Sequence, residues 1–382
     1  MRNKLVAAAV VSLAAAPMAA QAASITPYAK VQWEIANESY SASGVDPSIK
    51  NIVAPSRTWI GSENPNSSGL TVEDNQRGRF GLKGSEDIGS GMKMHGKVEY
   101  DIGGGSQFKG GAVLREANVG ITGGWGDVTI GTQKSPYKYI GGVKYDTFVT
   151  TNLEARRNGG MLGGTFGQNG FWDNSVSYQA PSSLPVEIWG IYSPDASNGE
   201  ENTFNAGSNT YGGSQGQGDY ALGVRYKGKG GMPWEVFGVV MSNNNTLTNS
   251  QAAAAGVGTG NDQFWKAGGK VNFGQVTLLG QYEHASWGGS IGGMADGDKT
   301  DQYFLAAHYQ LSSTQLVAQY GANTTSFDAG GKDLTGTYYA LGAYHKFTGA
   351  ARIFGGYRHT KADQGNNDAT GSAFTVGMRL DF

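Results

Sequence analysis

Between Met92 and Ile102 the chain alternates without a break. Met92, Met94, Gly96, Val98, Tyr100 and Ile102 share one parity, and Lys93, His95, Lys97, Glu99 and Asp101 share the other. Successive residues of a strand point to opposite faces, so one face is apolar and the other carries five ionisable groups. A strand standing between lipid and water reads this way over about ten residues, but so can a strand on the surface of a soluble sheet. Recurrence decides between them. Tyr220, Leu222, Val224 and Tyr226 alternate with Ala221, Gly223, Arg225 and Lys227. Trp265, Ala267, Gly269, Val271 and Phe273 alternate with Lys266, Gly268, Lys270 and Asn272. Tyr303, Leu305, Ala307, Tyr309 and Leu311 alternate with Gln302, Phe304, Ala306, His308 and Gln310. Aromatics gather at the ends of the apolar parity, where the two interfaces of a bilayer would lie.

The N-terminus places the chain outside the cytoplasm. Arg2 and Lys4 precede an apolar run from Leu5 to Ala16, Pro17 breaks it, and Ala20-Gln21-Ala22 supplies small residues for a peptidase. That order reads as a secretory signal over residues 1–22, leaving 23–382 as one mature domain. The run is too short for a transmembrane helix, which needs about 20 residues, and no later stretch resembles one. Backbone in hydrocarbon must pair internally, so the remaining option is a closed β-barrel. Composition agrees: hydrophobic residues are only 38%, and 62 of 382 residues are Gly, against a usual share of about 7%. The chain has no Cys, which excludes disulfides, Cys-ligated zinc and thiol chemistry. Net charge is −2, or −4 without Arg2 and Lys4, so no nucleic-acid partner is expected.

Sixteen strands are read, at about 25–36, 75–84, 92–102, 112–122, 128–134, 171–180, 186–193, 219–227, 234–241, 263–273, 276–286, 300–311, 314–324, 335–346, 351–359 and 370–382. The connections alternate in length. Short ones include 274–275 and 312–313, and long ones include 37–74, 135–170, 194–218 and 242–262. Short periplasmic turns and long external loops are the habit of outer-membrane barrels, and an even strand count returns both ends to the periplasm. Phe374, Val376, Met378, Leu380 and Phe382 share a parity to the last residue. Such an aromatic ending on an alternating strand resembles the signal that the barrel-assembly machinery reads.

Arg79-Phe80-Gly81-Leu82-Lys83-Gly84-Ser85-Glu86-Asp87-Ile88-Gly89-Ser90-Gly91 resembles the second strand and first turn of the general Gram-negative outer-membrane porins. Arg115-Glu116-Ala117-Asn118-Val119-Gly120-Ile121 and Trp125-Gly126-Asp127-Val128-Thr129-Ile130-Gly131 resemble that family's fourth and fifth strands. Asp173-Asn174-Ser175-Val176-Ser177-Tyr178 resembles the strand after its long third loop, and the order holds from residue 25 to 382. Thr132 departs from it, standing where many members carry Arg. The resemblance implies a sixteen-stranded antiparallel barrel in the outer membrane, usually a homotrimer among lipid and lipopolysaccharide. It also implies a third loop, here 135–170, folded into the lumen to narrow a water-filled channel. Small hydrophilic solutes and ions would cross by passive diffusion. A substrate-selective channel for an anion or a sugar, or a structural or adhesive barrel, is the alternative.

The candidate constriction residues follow. Arg77 and Arg79 have the parity opposite Phe80 and Leu82, so both should face the lumen. Arg115 shares parity with Val119 and Ile121, on the lipid side, whereas the resemblance puts it on the pore wall; a bulge or a rim position would reconcile them. In the third loop Asp146, Glu154, Arg156 and Arg157 are the candidates, and Gly159, Gly160, Gly163 and Gly164 would let it pack closely. Wall arginines are expected to face Asp146 or Glu154, with Lys30, Lys83, Lys93, Lys97, Lys266 and Lys270 adding positive charge and Glu34, Glu99 and Asp101 offsetting some of it, so a weak anion preference is expected. His95, His284, His308, His345 and His359 lie on different strands without metal-ligand spacing, so no metal or cofactor is expected. A membrane-embedded hydrolase needs a Ser–His pair with an orienting third group. Sequence alone brings no such trio together, and the chain is expected to be no enzyme.

Overall fold

Hydrocarbon offers the backbone no hydrogen bonds, so a sheet that crosses it must have no free edge. The chain meets this by closing on itself. The computed structural model describes residues 24–43, 68–73, 78–101, 113–162, 171–194, 218–228, 230–244, 261–288 and 295–382. Its strands are β1 Ser24–Ser43, β2 Ser68–Glu73, β3 Arg79–Gly89, β4 Met92–Asp101, β5 Val113–Gly123, β6 Gly126–Lys134, β7 Phe171–Gln179, β8 Val186–Ser193, β9 Asp219–Gly228, β10 Trp234–Asn244, β11 Asn261–Phe273, β12 Val276–Gly288, β13 Asp296–Leu311, β14 Thr314–Ser326, β15 Leu334–Lys346, β16 Ala351–Gln364 and β17 Asn367–Asp381. From β3 onward consecutive strands pair antiparallel, and β17 pairs with β1 from Lys30↔Asp381 to Ser43↔Asp368. The other edge of β1 takes β3 along residues 24–30 and β2 along 34–39. Of the seventeen strand segments, β2 and β3 thus share one stave, which leaves sixteen staves in a closed barrel.

The barrel is inside-out relative to a soluble protein. Along β1 Val31, Trp33 and Ile35 are exposed, while Gln32, Glu34 and Glu38 are at most 3% exposed. Tyr220, Leu222, Val224 and Tyr226 are all exposed on β9, and Phe374, Val376, Met378 and Leu380 on β17. The apolar parity faces lipid and the polar parity faces inward, as the alternation requires.

Several boundaries differ from the sequence reading, and Ser68–Glu73, read as part of the connection 37–74, is strand because it pairs with the upper part of β1. β1 runs seven residues past the expected end at 36, and its outward parity there is Asn37, Ser39 and Ser41. β16 and β17 extend through the stretch 360–369 read as a connection, up to a reversal at Gly365-Asn366 with Gly365 at φ 68°. Both extensions carry polar residues on the outward parity, and a strand that rises beyond the lipid loses the apolar signal that marks it. The expected turn from Ser85 shrinks to Ser90-Gly91, both at positive φ, the type I′ geometry that suits strand twist.

The ladder between β4 and β5 slips one residue. Glu99 faces Glu116, but Tyr100 faces Leu114, so Arg115 is the extra residue of a bulge. Leu114 points to lipid while both Arg115 and Glu116 turn inward. This bulge reconciles the parity of Arg115 with an inward side chain.

Leu222 lies between the Tyr220 and Tyr226 ends of β9 and is 46% exposed. Arg on the lipid face near the midplane costs about 2–4 kcal/mol. Leu222→Arg should lower the unfolding free energy by about that amount in denaturant titrations of vesicle-reconstituted protein. An unchanged midpoint would mean that this face does not meet lipid.

Candidate constriction site

The connection after β6 enters the barrel. Ser135 caps α1, Pro136–Tyr139, and the chain then passes through a 3-10 turn at Gly142–Lys144. From 135 to 162 nearly every residue is buried. The inward carboxylates and amides of the wall hold it there. Glu283 Oε2 accepts from the Tyr137 hydroxyl at 3.0 Å, and its Oε1 accepts from the Leu162 N–H at 3.1 Å. Gln281 Oε1 accepts from the Gly142 N–H at 2.7 Å. Glu235 accepts from the Tyr145 hydroxyl at 3.0 Å. Glu34 takes the Asn152 N–H on both oxygens, at 2.9 and 3.0 Å. Hydrogen bonds to charged groups are worth about 1.5–3 kcal/mol each, and a buried carboxylate without them would be strongly unfavourable.

Apolar packing supplies the rest. Tyr137, Ile140, Phe148 and Leu153 of the loop share one buried cluster with Phe237, Phe264, Phe304 and Tyr338 of the wall. Phe304, the aromatic that interrupts its polar parity, therefore lies beneath the loop. Glycine sets the approach: a Cβ on Gly321 would sit 2.4 Å from Gly160 Cα, and one on Gly160 would sit 2.4 Å from the Tyr338 ring. Backbone meets backbone there, which no other residue type permits. Gly159 has φ 78° and its carbonyl accepts from Asn323 at 2.9 Å. Gly163 and Gly164 lie outside the described residues.

These anchors sit on β1 and β10–β16, so the wall formed by β3–β6 is left facing the loop's other side. Its charges form a network. Glu99 accepts from Arg115 at 3.0 Å and from the Tyr28 hydroxyl at 2.7 Å, and meets Arg79 at 3.4 Å and Lys97 at 3.1 Å. Arg115 also holds Asp101 at 2.6 Å, and Glu116 holds Lys97 at 2.7 Å and Lys134 at 3.0 Å. Among the described residues four cations here meet three carboxylates, an excess of one positive charge (4 − 3), and Lys144 on the loop adds another. Two rings lie among them: Phe171 has the Arg115 guanidinium at 4.4 Å and the Lys138 ammonium at 3.9 Å, and Tyr139 has Lys134 at 4.9 Å and Lys144 at 5.3 Å. Such contacts hold a cation in place without neutralising it. Lys138 is buried, and burial together with the nearby Arg156, Arg115 and Arg79 lowers its pKa well below the usual lysine value.

The expected loop carboxylates do other work. Asp146 Oδ2 accepts from the Ala155 N–H at 2.8 Å and from the Arg156 N–H at 3.4 Å. Glu154 meets Arg156 at 3.1 Å and Arg157 at 2.9 Å and accepts from the Thr150 N–H at 2.7 Å. These contacts close the loop on itself, while Arg79 and Arg115 meet carboxylates of the neighbouring strand. Arg77 lies outside the described residues. Lys266, expected as lumenal charge, is 1% exposed; it donates to the Tyr137 carbonyl beneath the loop. Sequence reading missed the docking residues Glu235, Gln281, Glu283 and Asn323. Their inward parity was legible, but a lumen-lining residue and a loop anchor have the same parity.

A family model described as Gram-negative porin matches residues 7–365. Outer membrane porin protein 32 of Delftia acidovorans is 24% identical over 387 aligned positions, covering 99% of this chain and 93% of that one. The anion-selective porin from Comamonas acidovorans has a similar structure, with TM-score 0.63, 19% identity and coverage of 94% of this chain and 100% of that one. The trimer form of OmpT, an outer membrane protein of Vibrio cholerae, follows at TM-score 0.58 and 15% identity, covering 95% and 100%. At these identities the structures establish a shared fold.

Burial and the nearby Glu154 push the Asp146 carboxyl up to about 7, against the counter-effect of Arg156 and its two backbone donors. In the seated loop it holds a proton that it would lose on release anywhere between the ordinary carboxyl range and about pH 7. Seating therefore strengthens as pH falls through that window and is at its weakest, with no further change, above it. Single-channel recordings should show more loop-dependent current fluctuation as pH rises through about 7, and Asp146→Asn should flatten that dependence. Equal pH dependence in the two proteins would contradict the assignment.

Proposed function

The chain belongs to the Gram-negative porin family, and we propose that its lumen conducts small hydrophilic solutes and ions by passive diffusion, with a preference for anions set by the β3–β6 wall. The single observation that carries this reading is the cationic excess around Glu99 and Glu116, with Lys134 31% and Lys97 22% exposed by side chain. An anion moving along that wall meets donors whose own carboxylate partners only partly neutralise them. Screening in a narrow channel with protein on both sides is weaker than in bulk, so a small excess biases the ions that enter. The porin of Comamonas acidovorans is described as anion-selective, and this wall gives the present chain a physical reason to resemble it. Solutes cross unmodified, because the wall supplies fixed charge rather than a reacting group. The rings of Phe171 and Tyr139 are covered by cations, which disfavours stacking of a sugar and makes the sugar-selective reading the weaker one.

Arg79, Arg115, Arg156 and Arg157 are assigned to the constriction as follows. Arg115, with Lys97 and Lys134, presents charge to the passage. Arg79 positions Glu99. Arg156 and Arg157, paired with Glu154, stiffen the loop, and Asp146 fixes its turn. Residues 1–22 are proposed to serve as the export signal, Phe382 to address the chain to the barrel-assembly machinery, and the apolar exterior to contact lipid, lipopolysaccharide and two further copies of the chain.

Arg115→Gln and Lys134→Gln should each move the reversal potential in a salt gradient toward cation preference while leaving the channel open. Identical potentials in wild type and both variants would remove the wall from the selectivity mechanism. In mild detergent the protein should sediment as a trimer; one form of the Vibrio cholerae protein is described as a trimer. A monomer at every concentration would contradict the proposed assembly.

A further inference from the structure

The outward face of β12 and β13 carries three consecutive polar or aromatic cross-strand pairs: Tyr282↔Tyr303, His284↔Asp301 and Ser286↔Lys299. They rise in that order toward the end of the barrel away from the two-residue turns at 274–275 and 312–313. Trp265 of β11 faces His284 from the other side. The rings of Trp265, Tyr282 and Tyr303 follow one another, tilted, with centroids at 5.1 and 4.9 Å, as expected for an outer interfacial girdle. One pair above Tyr282 and Tyr303, and level with Trp265, Asp301 Oδ1 lies 2.8 Å from His284 Nδ1, and His284 Nε2 lies 3.2 Å from Ser286 Oγ.

The order of contacts is the one a serine nucleophile needs. An ionised carboxylate only accepts, so His284 Nδ1 carries the proton and donates to it. In neutral imidazole the other nitrogen then has the lone pair, so Ser286 donates its hydroxyl proton to Nε2. The Tyr282 hydroxyl also donates to Asp301 Oδ1, and the Trp265 ring lies against the imidazole at 5.8 Å. Both hold the two groups in register. The ladder slips immediately after Ser286, at Trp287, whose indole N–H donates to Thr300 at 2.9 Å. A bulge anchored on the inner side thus fixes Ser286 on the outer side.

We propose that Ser286, His284 and Asp301 form a second site on this chain, on the lipid-facing surface, that hydrolyses fatty-acyl esters of membrane amphiphiles. Ser286 Oγ attacks the ester carbonyl carbon as His284 Nε2 takes the hydroxyl proton. Asp301 stabilises the imidazolium that forms. Lys299 stands directly opposite Ser286 on the neighbouring strand, and its positive charge would favour the developing oxyanion. The tetrahedral intermediate collapses, the carbon–oxygen bond to the alcohol breaks, and His284 returns the proton to the leaving oxygen. Water, deprotonated by His284, then attacks the acyl-serine and releases the fatty acid and free Ser286. The sum is ester plus water giving acid plus alcohol, with no redox partner.

Position selects the substrate class. The site opens on the exterior, above Leu278 and Leu305, which are 44% and 61% exposed to lipid. An amphiphile whose acyl chain lies along those side chains carries its ester at the level of the girdle. A soluble ester has no such register, and a lumenal solute never reaches this face.

The test uses the full-length mature protein reconstituted in phosphatidylethanolamine vesicles, and in parallel in vesicles bearing lipopolysaccharide. These distinguish glycerophospholipid from lipopolysaccharide as the source of the ester. Fluorophosphonate labelling should fall on Ser286. Fatty-acid release in one or both vesicle types should drop by on the order of 10³-fold or more in Ser286→Ala and His284→Asn. Conductance should stay at the wild-type value in both variants, showing that each is folded. A wild type that does not label, or that releases no more fatty acid than Ser286→Ala in either vesicle, overturns the proposal.

Discussion

Backbone pairing in hydrocarbon admits no free edge, and the β1–β17 seam is where this chain satisfies that condition. Fourteen consecutive residue pairs zip it, and Phe382 and Ala29 exchange backbone hydrogen bonds at its foot. Once the sheet closes, one parity of every strand is committed to lipid and the other to an enclosed, polar space. The inside-out burial of β1, with Glu34 at 1% exposure beside Ile35 at 54%, is a consequence of closure. So is the accommodation of ionisable groups in a membrane protein: they have an interior to occupy and partners within it.

A polar interior has two possible uses, and the barrel divides them. Along β1 and β10–β16 the inward carboxylates and amides bind the loop through its own N–H groups and tyrosine hydroxyls, with a buried aromatic layer beneath. Along β3–β6 the inward charges bind one another and keep a positive excess toward the passage. The same residue chemistry therefore acts as adhesive on one wall and as a field on the other. Glu283 and Glu116 illustrate the difference: the first accepts from Tyr137 and Leu162 of the loop, the second from Lys97 and Lys134 of the wall.

Much of this was legible in the amino-acid order. Period-two alternation identified the strands wherever one face met lipid, and the resemblance to the porins, not any property of the connections themselves, pointed to the loop that enters the lumen. Recognition failed where its physical basis was absent. The upper parts of β1, β16 and β17 stand above the lipid and carry Asn37, Ser39 and Asp363 on parities that are apolar lower down, so no alternation marked them. Arg115 defied simple parity because one bulge residue inverts the count. Lys266 was read as adding to the lumenal charge; it points inward but lies beneath the loop, since parity says which way a side chain points and nothing of what covers it. The trio Ser286, His284 and Asp301 spans two strands, and only the register of β12 against β13 brings it together.

The central claim is that the loop covers the β10–β16 wall and leaves the β3–β6 wall open to solutes. The chain contains no Cys, so single cysteines can report which wall is accessible. Lys134→Cys, on the open wall, should react rapidly with a charged methanethiosulfonate added to an open channel, with a stepwise change in current. Gln302→Cys, at 2% exposure behind Gly159, should react far more slowly. Equal modification rates at the two positions, or faster reaction at 302, would contradict the account.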